Sequence, residues 1–416
     1  MTNLYKSIWL RFLVIFFCFF FISVKSVLAF RFISWGDAQD GGSNFKNTSN
    51  QAATLNPAFA IFNGDFESDG FQQTLMNTMV TALNGGSGKN NGMFNKTFLV
   101  RGNHDNHYTN PASWQNYLVT ANRPAVAGVT NYTGINSSST YLTYSFDFGN
   151  SRFIGVDIPG DVGLITSAQL TFINDRLTNA ENKTLNPNLQ HVFIYFHGPI
   201  YCVSSSHCSC SGKSDSSCTP SSIIDLIKNH PIVSATFHGH EHILGWTHID
   251  SSRLSSLQSR VYEQFMTSPS GAYVSTSNLY SNRVNYAEMT SAQGFAAIDV
   301  NGLSFTVNLY RNGSTAPSCK QSINCTKNQT TGNTGCTQSS VCPSTTPPPE
   351  ITVTPTKPPA SCPLKSSGDY NCDGKINESD LNALLGKWMT GEKDITEDGI
   401  VNESDLNKLL GNWKTL

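Results

Sequence analysis

Charge is scarce in this chain. Charged residues fill only 13% of its 416 positions, about half the usual quarter, and 27 Lys and Arg nearly cancel 29 Asp and Glu to a formal −2. No basic field exists to hold nucleic acid. Hydrophobic residues at 38% still suffice for one sizeable buried core, which excludes a fully disordered chain, and the length leaves room for two or three domains. Beyond residue 30 no apolar run is long enough to cross a bilayer. The cysteines lack paired CxxC spacing, which favours disulfides over zinc.

The first 29 residues stand apart from any fold. A basic start (Lys6, Arg11) leads through the apolar stretch Phe12 to Val24 to a small-residue exit at Ala29, the layout of a secretory signal peptide cleaved after Ala29. An uncleaved signal anchor is the rival reading. Removing this segment takes away Lys6, Arg11 and Lys25 and no acid, so the rest is more acidic than the whole. The expected location is extracellular, or the lumen of the secretory or endolysosomal pathway. In that oxidising compartment the ten cysteines left after Cys18 departs are expected to form disulfides. They fall in clusters: Cys202, Cys208, Cys210 and Cys218; Cys319, Cys325, Cys336 and Cys342; Cys362 and Cys372. Each group of four allows three connectivities.

Organisation changes near residue 315. Over residues 30–315, short β-rich apolar runs alternate with amphipathic helical stretches, the pattern of a mixed α/β domain with buried sheets. Residues 316–342 form a Ser/Thr/Asn-rich segment with four cysteines, too short for a core of its own without disulfides. Residues 343–365 are a proline-rich linker. Residues 366–416 contain an internal repeat.

Five short motifs carry the chemistry, and each follows a run that reads as a strand. They are Gly36-Asp37-Ala38-Gln39, Asn63-Gly64-Asp65, Gly102-Asn103-His104-Asp105, His197-Gly198-Pro199 and His238-Gly239-His240-Glu241-His242. Strand ends of an α/β sheet are where loops converge, so side chains distant in sequence meet there. Two aspartates, amide oxygens and several imidazoles suit a pair of borderline metals such as Zn, Mn or Fe without any thiolate. The charge of two divalent ions outweighs that of Asp37 and Asp65. The surplus suits a phosphate ester: it binds the anion, acidifies water and neutralises charge during displacement. His107, His191, His207, His230 and His248 lie outside the motifs and are read as surface or packed-core histidines.

This ordered set resembles the signature blocks of the calcineurin-like metallophosphoesterases, a family that includes purple acid phosphatases and many phosphodiesterases. The resemblance implies an α/β four-layer α/β/β/α sandwich with a dinuclear site. It implies that Asp65 bridges both metals, that Asp37 and His242 hold one, and that Asn103, His197 and His240 hold the other. It casts His104 as general acid or phosphate-stabilising residue, oriented by Asp105. The first block departs from the family, with Gln39 where a histidine is usual; an amide oxygen is a weaker ligand than imidazole, so the first metal is expected to be held less tightly. The second block lacks the tyrosine of purple acid phosphatases, which makes that subgroup less fitting. The cysteine-bearing insertion from Tyr201 to Thr219 leaves directly from a ligand strand and is expected to wall the pocket and set specificity.

The C-terminal repeat reads as a second metal chemistry. Asp369, Asn371, Asp373, Asn377 and Asp380 place oxygen side chains at loop positions 1, 3, 5, 9 and 12, with Gly374 at 6 and Lys375 at the backbone-carbonyl position 7, the spacing that wraps Ca2+. Asp394, Thr396, Asp398, Ile400, Asn402 and Asp405 repeat it. Each loop runs into a short apolar helix pattern, through Leu381 to Trp388 and Leu406 to Trp413, that needs its twin for burial. The pair resembles a dockerin domain, a small all-α calcium-binding module, which implies a cohesin-like partner. Thr396 offers only a hydroxyl, so the second site is expected to be weaker. Sequons at Asn95, Asn131, Asn182, Asn312 and Asn324 allow glycosylation. Two functions follow from the sequence: a secreted phosphoesterase acting on a mono- or diester and tethered through the calcium module, or a non-catalytic binding protein built on the same scaffold.

Overall fold

The computed structural model describes residues 29–39, 42–68, 73–106, 126–135, 143–158, 165–204, 221–274, 279–288, 293–313, 318–339 and 404. The signal segment up to residue 28, His107, His207, most of the cysteine-bearing insertion, the proline-rich stretch and every expected calcium ligand lie outside the described residues. The chain divides into two compact units, Met1–Pro349 and Glu350–Leu416, and every element below belongs to the first.

Two mixed sheets make the body. The seven-stranded sheet runs β15 (Thr334–Ser339), β14 (Ser318–Lys327), β13 (Ser304–Arg311), β12 (Gly294–Asn301), β1 (Phe30–Trp35), β2 (Phe59–Asn63), β3 (Thr97–Val100). The eight-stranded sheet runs β11 (Tyr286–Glu288), β9 (Leu244–Ile249), β10 (Tyr262–Thr267), β8 (Val233–His238), β7 (His191–Tyr195), β6 (Ser151–Gly155), β5 (Tyr144–Phe148), β4 (Val129–Gly134). Strands β1, β2 and β3 are parallel neighbours, as are β6, β7, β8 and β10. Parallel strands end together, so the loops after β1, β2 and β3 leave one edge of the first sheet, and those after β7 and β8 leave one edge of the second.

Phenylalanines on the facing strands explain how the sheets meet. Strand alternation sends Phe32 of β1 toward the second sheet, where its ring lies 5.0 Å from Phe153, 5.7 Å from Phe193 and 5.7 Å from Phe237. Phe59 meets Phe146 and Phe153 at 5.4 and 4.9 Å, and Phe305 meets Phe193 at 5.3 Å. Edge-on aromatic pairs of this kind contribute about 0.5–1.5 kcal/mol each beyond the area they bury. The same alternation sends Ile33 and Trp35 to the opposite face, under α1 (Ser43–Ala53) and α2 (Gln73–Leu83), where they pack with Phe45, Ala52, Met76 and Met79.

Across the molecule, α3 (Ser167–Glu181) lays Ile173, Leu177 and Ala180 on the second sheet, a stripe at helical spacing. Beside it α4 (Ser221–Asn229) adds Ile223, Ile224 and Ile227. Helix α3 starts with a capping box: Gln169 N donates to Thr166 Oγ1 at 3.2 Å while Thr166 N donates to Gln169 Oε1 at 2.9 Å, satisfying two backbone donors at once.

Residues 318–339, set apart by the sequence as a cysteine-bearing segment after residue 315, instead continue the first sheet. Strand β14 pairs antiparallel with β13 and β15 with β14. The reason is alternation: Ile323 and Cys325 are buried against the edge that β13 would otherwise leave open. Cys325 and Cys336 stand directly opposite in the ladder and are joined by a disulfide. Among the described residues no helix is long and apolar enough to cross a membrane.

Candidate metal centre

The five motifs come together through their backbones. Asp37 N donates to Gly64 O at 3.0 Å and Ala38 N to Asp65 O at 2.8 Å, joining the first motif to the second. His104 N donates to Asp65 Oδ1 at 2.9 Å, which adds the third. Gly239 N donates to His197 O at 3.0 Å, and His240 N donates to the Asp37 carboxylate at 2.9 Å, which ties the fourth and fifth to the first. Close approach demands glycine here: a Cβ on Gly102 would run into Asp65 Oδ1, and one on Gly239 into Asp37 Oδ2.

Strain is concentrated at the same place. Of the eight non-glycine residues with positive φ among those described, five are expected ligands: Asp37 (53°), Gln39 (28°), Asp65 (56°), His240 (70°) and His242 (54°). Such conformations cost on the order of 1–3 kcal/mol each and persist where surrounding bonds over-determine them.

The side chains then fall into two groups around Asp65. In one, His242 Nε2 lies 3.2 Å from Asp37 Oδ1. In the other, Asn103 Oδ1 lies 2.9 Å from His197 Nε2 and 3.0 Å from His240 Nδ1, and the two ring nitrogens are 3.2 Å apart. Asp65 Oδ2 touches His197 Nε2 at 3.1 Å and also accepts from Gln39 Nε2. Asp37, Asp65 and His197 are all buried and offer ligand atoms within 4.8 Å of one another. All seven residues expected to hold metal are therefore gathered.

The donor set fits a cation. A carbonyl oxygen can only accept, so His197 spends its Nδ1–H on Asn63 O (2.9 Å) and His242 spends its Nδ1–H on Tyr273 O (2.9 Å). Both rings thereby present Nε2 to a carboxylate, the orientation of metal-ligating histidines. Around Asn103, one oxygen and two ring nitrogens converge, so a proton or a metal must lie between them. Burial pulls the His197 imidazolium down, yet Asp65 and Asp37 outweigh it and hold the pKa up to about 10. His242 is raised for the same reasons, with burial opposed chiefly by Asp37. Burial raises Asp37, but His242 and His197 bring it below the usual carboxylate range. The site thus attracts positive charge strongly enough to keep its own protons.

His104 stands at the rim, half-buried, with Nδ1 bonded to Ser68 O at 3.0 Å. The Asp105 carboxylate accepts from Gly102 N (2.9 Å), Glu67 N (2.8 Å) and Phe66 N (3.2 Å). It thus pins the second motif's loop to the third's and fixes the turn that carries His104, while Ser68 O sets the ring.

Sequence reasoning passed over several supports. Asn63 and Tyr273 act through backbone carbonyls, which leave no mark in side-chain identity. Glu241, between two expected ligands, accepts from Val203 N at 3.0 Å and so anchors the start of the insertion after His197; its charge in a motif was a signal. His191, His230 and His248 lie outside the cluster, bonded to Ser234 and Gly302, to Glu181 and Asn174, and to Glu263.

Comparison with known proteins agrees with this geometry. No curated protein matches the sequence significantly. Among solved structures the chain is similar to one titled "Structure of PhoD", with 11% identity, a TM-score of 0.53, and coverage of 76% of this chain and 73% of that one. It is also similar to purple acid phosphatase PPD1 from yellow lupin (Lupinus luteus) seeds, with 13% identity, a TM-score of 0.52, and coverage of 73% and 55%. At such identities the likeness speaks to the fold. The sequence profile described as "Calcineurin-like phosphoesterase" matches residues 30–244, just over half of the chain and the span that contains all five motifs. The chain belongs to the calcineurin-like phosphoesterase family, and is a hydrolase acting on phosphoester bonds.

Proposed function

We propose that this protein is a secreted phosphatase or phosphodiesterase that works with two divalent transition ions, Mn, Fe or Zn. The observation that carries the reading is the position of Asp65, whose one carboxylate oxygen meets both Gln39 and His197. On this reading Asp37, His242 and Gln39 hold the first ion, Asn103, His197 and His240 the second, and Asp65 is shared. Two such ions, when bound, supply positive charge to the phosphoryl group and acidify water.

The chain's own residues do the rest. His197 and His242 keep their Nδ1–H on backbone carbonyls, which locks ring orientation before any ligand arrives. With Nδ1 of His104 held by Ser68 O, Nε2 is the ring atom that would carry a proton to the departing ester oxygen. Asp105 positions that ring by fixing the loop beneath it. Gln39 offers an amide where the family usually has imidazole, so the first ion is the more easily lost.

The C-terminal repeat is read as a dockerin-like module with two Ca2+ loops that tethers the enzyme to a cohesin-like partner, the loop with Thr396 binding more weakly. Hydrolysis of nitrophenyl phosphate and bis-nitrophenyl phosphate with added Mn or Zn tests the catalytic reading and separates monoester from diester activity. No turnover of either ester by metal-loaded protein would overturn it.

A further inference from the structure

At the opposite end of the strands from the metal centre, a cavity of about 440 Å3 opens between the start of β8 and the hairpin that joins β14 to β15. Its lining includes Glu181, Lys183, Gln190, Ile232, Lys327 and Thr330. Lys327 is only 6% exposed. Its Nζ donates to Ile232 O and to Ser234 Oγ, the latter at 3.1 Å.

The direction of these bonds is fixed. Gly302 O accepts from His191 Nε2, so His191 Nδ1 must accept from Ser234 Oγ–H, and the serine oxygen must accept from Lys327. Two donors of the ammonium are thereby used. The third has no partner among the described residues, and no carboxylate lies within ion-pair distance.

The surroundings add to the imbalance. Lys183 Nζ donates to Leu189 O. Arg260, 5% exposed, spends its guanidinium on carbonyls of Ile227, Pro231, Val233 and Gly332 and on Asn333 Oδ1. Neither has a carboxylate at bonding distance among the described residues. Among the described residues the acid nearby is Glu181, which is engaged with His230 Nδ1 at 3.0 Å and with Ile232 N at 3.2 Å. Lys327 and Lys183 thus line the cavity with one occupied carboxylate, and Arg260 is near enough to act on Lys327. Burial, then Arg260 and Lys183, push the Lys327 amine well below its ordinary pKa. Buried charge is normally paired, and an unpaired cation on a cavity wall marks the place of a counter-charge.

We infer that this cavity is a binding site for a small oxyanion, held by Lys327 and Lys183 with Gln190 and Thr330 as neutral partners. The inference is independent of the phosphoesterase reading, because it involves neither the metal centre nor turnover. Sulfate and acetate serve as probes, separating a tetrahedral oxyanion from a carboxylate, each measured calorimetrically on metal-loaded protein against chloride at equal ionic strength. The expected result is binding of one of them that weakens about tenfold or more in Lys327→Met and in Lys183→Met, the scale of one charge-assisted hydrogen bond, and that persists in His240→Ala. If Lys327→Met fails to fold, the partly exposed Lys183 supplies the reading. Absence of binding beyond chloride, or binding that survives both lysine substitutions and disappears in His240→Ala, overturns the inference.

Discussion

Arg101 is the last residue before Gly102-Asn103-His104, and it is 1% exposed. Its Nε and Nη2 grip the two oxygens of Asp157 at 3.0 and 2.7 Å, and Asp157 is itself 2% exposed at the end of β6. The remaining nitrogen, Nη1, is buried without a hydrogen bond among the described residues. Arginine does not give up its proton in proteins, and burial, which disfavours its charge, is outweighed by Asp157 and Asp105. Asp157→Asn would therefore leave a buried cation with no bonded counter-charge. Loss of one partner of such a pair costs about 3–5 kcal/mol, which for a body of this size lowers Tm on the order of 10 °C. Urea unfolding at pH 7, with metal and calcium concentrations held constant so that ligand binding does not shift the result, measures it directly. The pair Arg101→Met with Asp157→Leu should recover most of the loss, because an apolar replacement removes both desolvation penalties together. A shift below about 1 kcal/mol in Asp157→Asn, or a double variant no better than the single, would refute the argument.

Three further outcomes follow from other residues. His104→Ala should lower kcat on nitrophenyl phosphate by about 10²–10⁴ with unchanged metal content by elemental analysis; a parallel loss of metal would make it a ligand. Gln39→His should slow loss of the first metal to a mild chelator, and the wild type retaining two full equivalents under the same dialysis would count against the weak-ligand reading. His191 is buried between Ser234 and Gly302, and burial, with Lys327 beside it, brings its pKa down to about 3 from a usual value near 6.5. Below about pH 6.5 the unfolded chain takes up a proton that the fold excludes, so this contribution is complete above that pH and is lost as pH falls toward 3. His191→Gln should then show a shallower decline of unfolding free energy between pH 6.5 and 4 than wild type, and equal slopes would contradict it.

Much of the site was legible because its residues sit in short motifs directly after apolar strand runs, and parallel strands deliver such motifs to one edge. His191, His230 and His248, outside the motifs, were legible by the same logic. Yet the fifth motif holds a histidine the rule does not separate. His238 stands two residues before His240, but its rings bonds go to Phe196 O and Thr236 Oγ1 at 3.1 and 2.9 Å. Burial holds its pKa down to about 3. It closes β8 while His240 lies beyond the glycine turn, and that change of backbone direction is not written in residue type. The same limit explains β14 and β15. Their Ser, Thr, Asn and Cys content reads as a loop, and only the open edge of β13 makes a strand of it.

The strained backbone at the ligands and the bonds between their loops are two sides of one arrangement. Five ligand residues at positive φ carry a cost of this kind, and the hydrogen bonds that cross-link their loops over-determine it. The donors of the bonds that hold the ligand loops are groups a metal would not take: the amides of Asp37, Ala38, His104 and His240, and the Nδ1–H groups of His197 and His242; those from His104 and His240 end on the Asp65 and Asp37 carboxylates and so also orient them. Asn103 Oδ1, Nε2 of His197 and of His242, Nδ1 of His240 and the two carboxylates converge between those bonds. A small zinc domain obtains its fold from its metal; here the sheets and their cross-stitched turns preorganise the metal-binding atoms. Metal binding therefore has little chain to order, and its free energy remains available for holding the ions and the anion drawn to them.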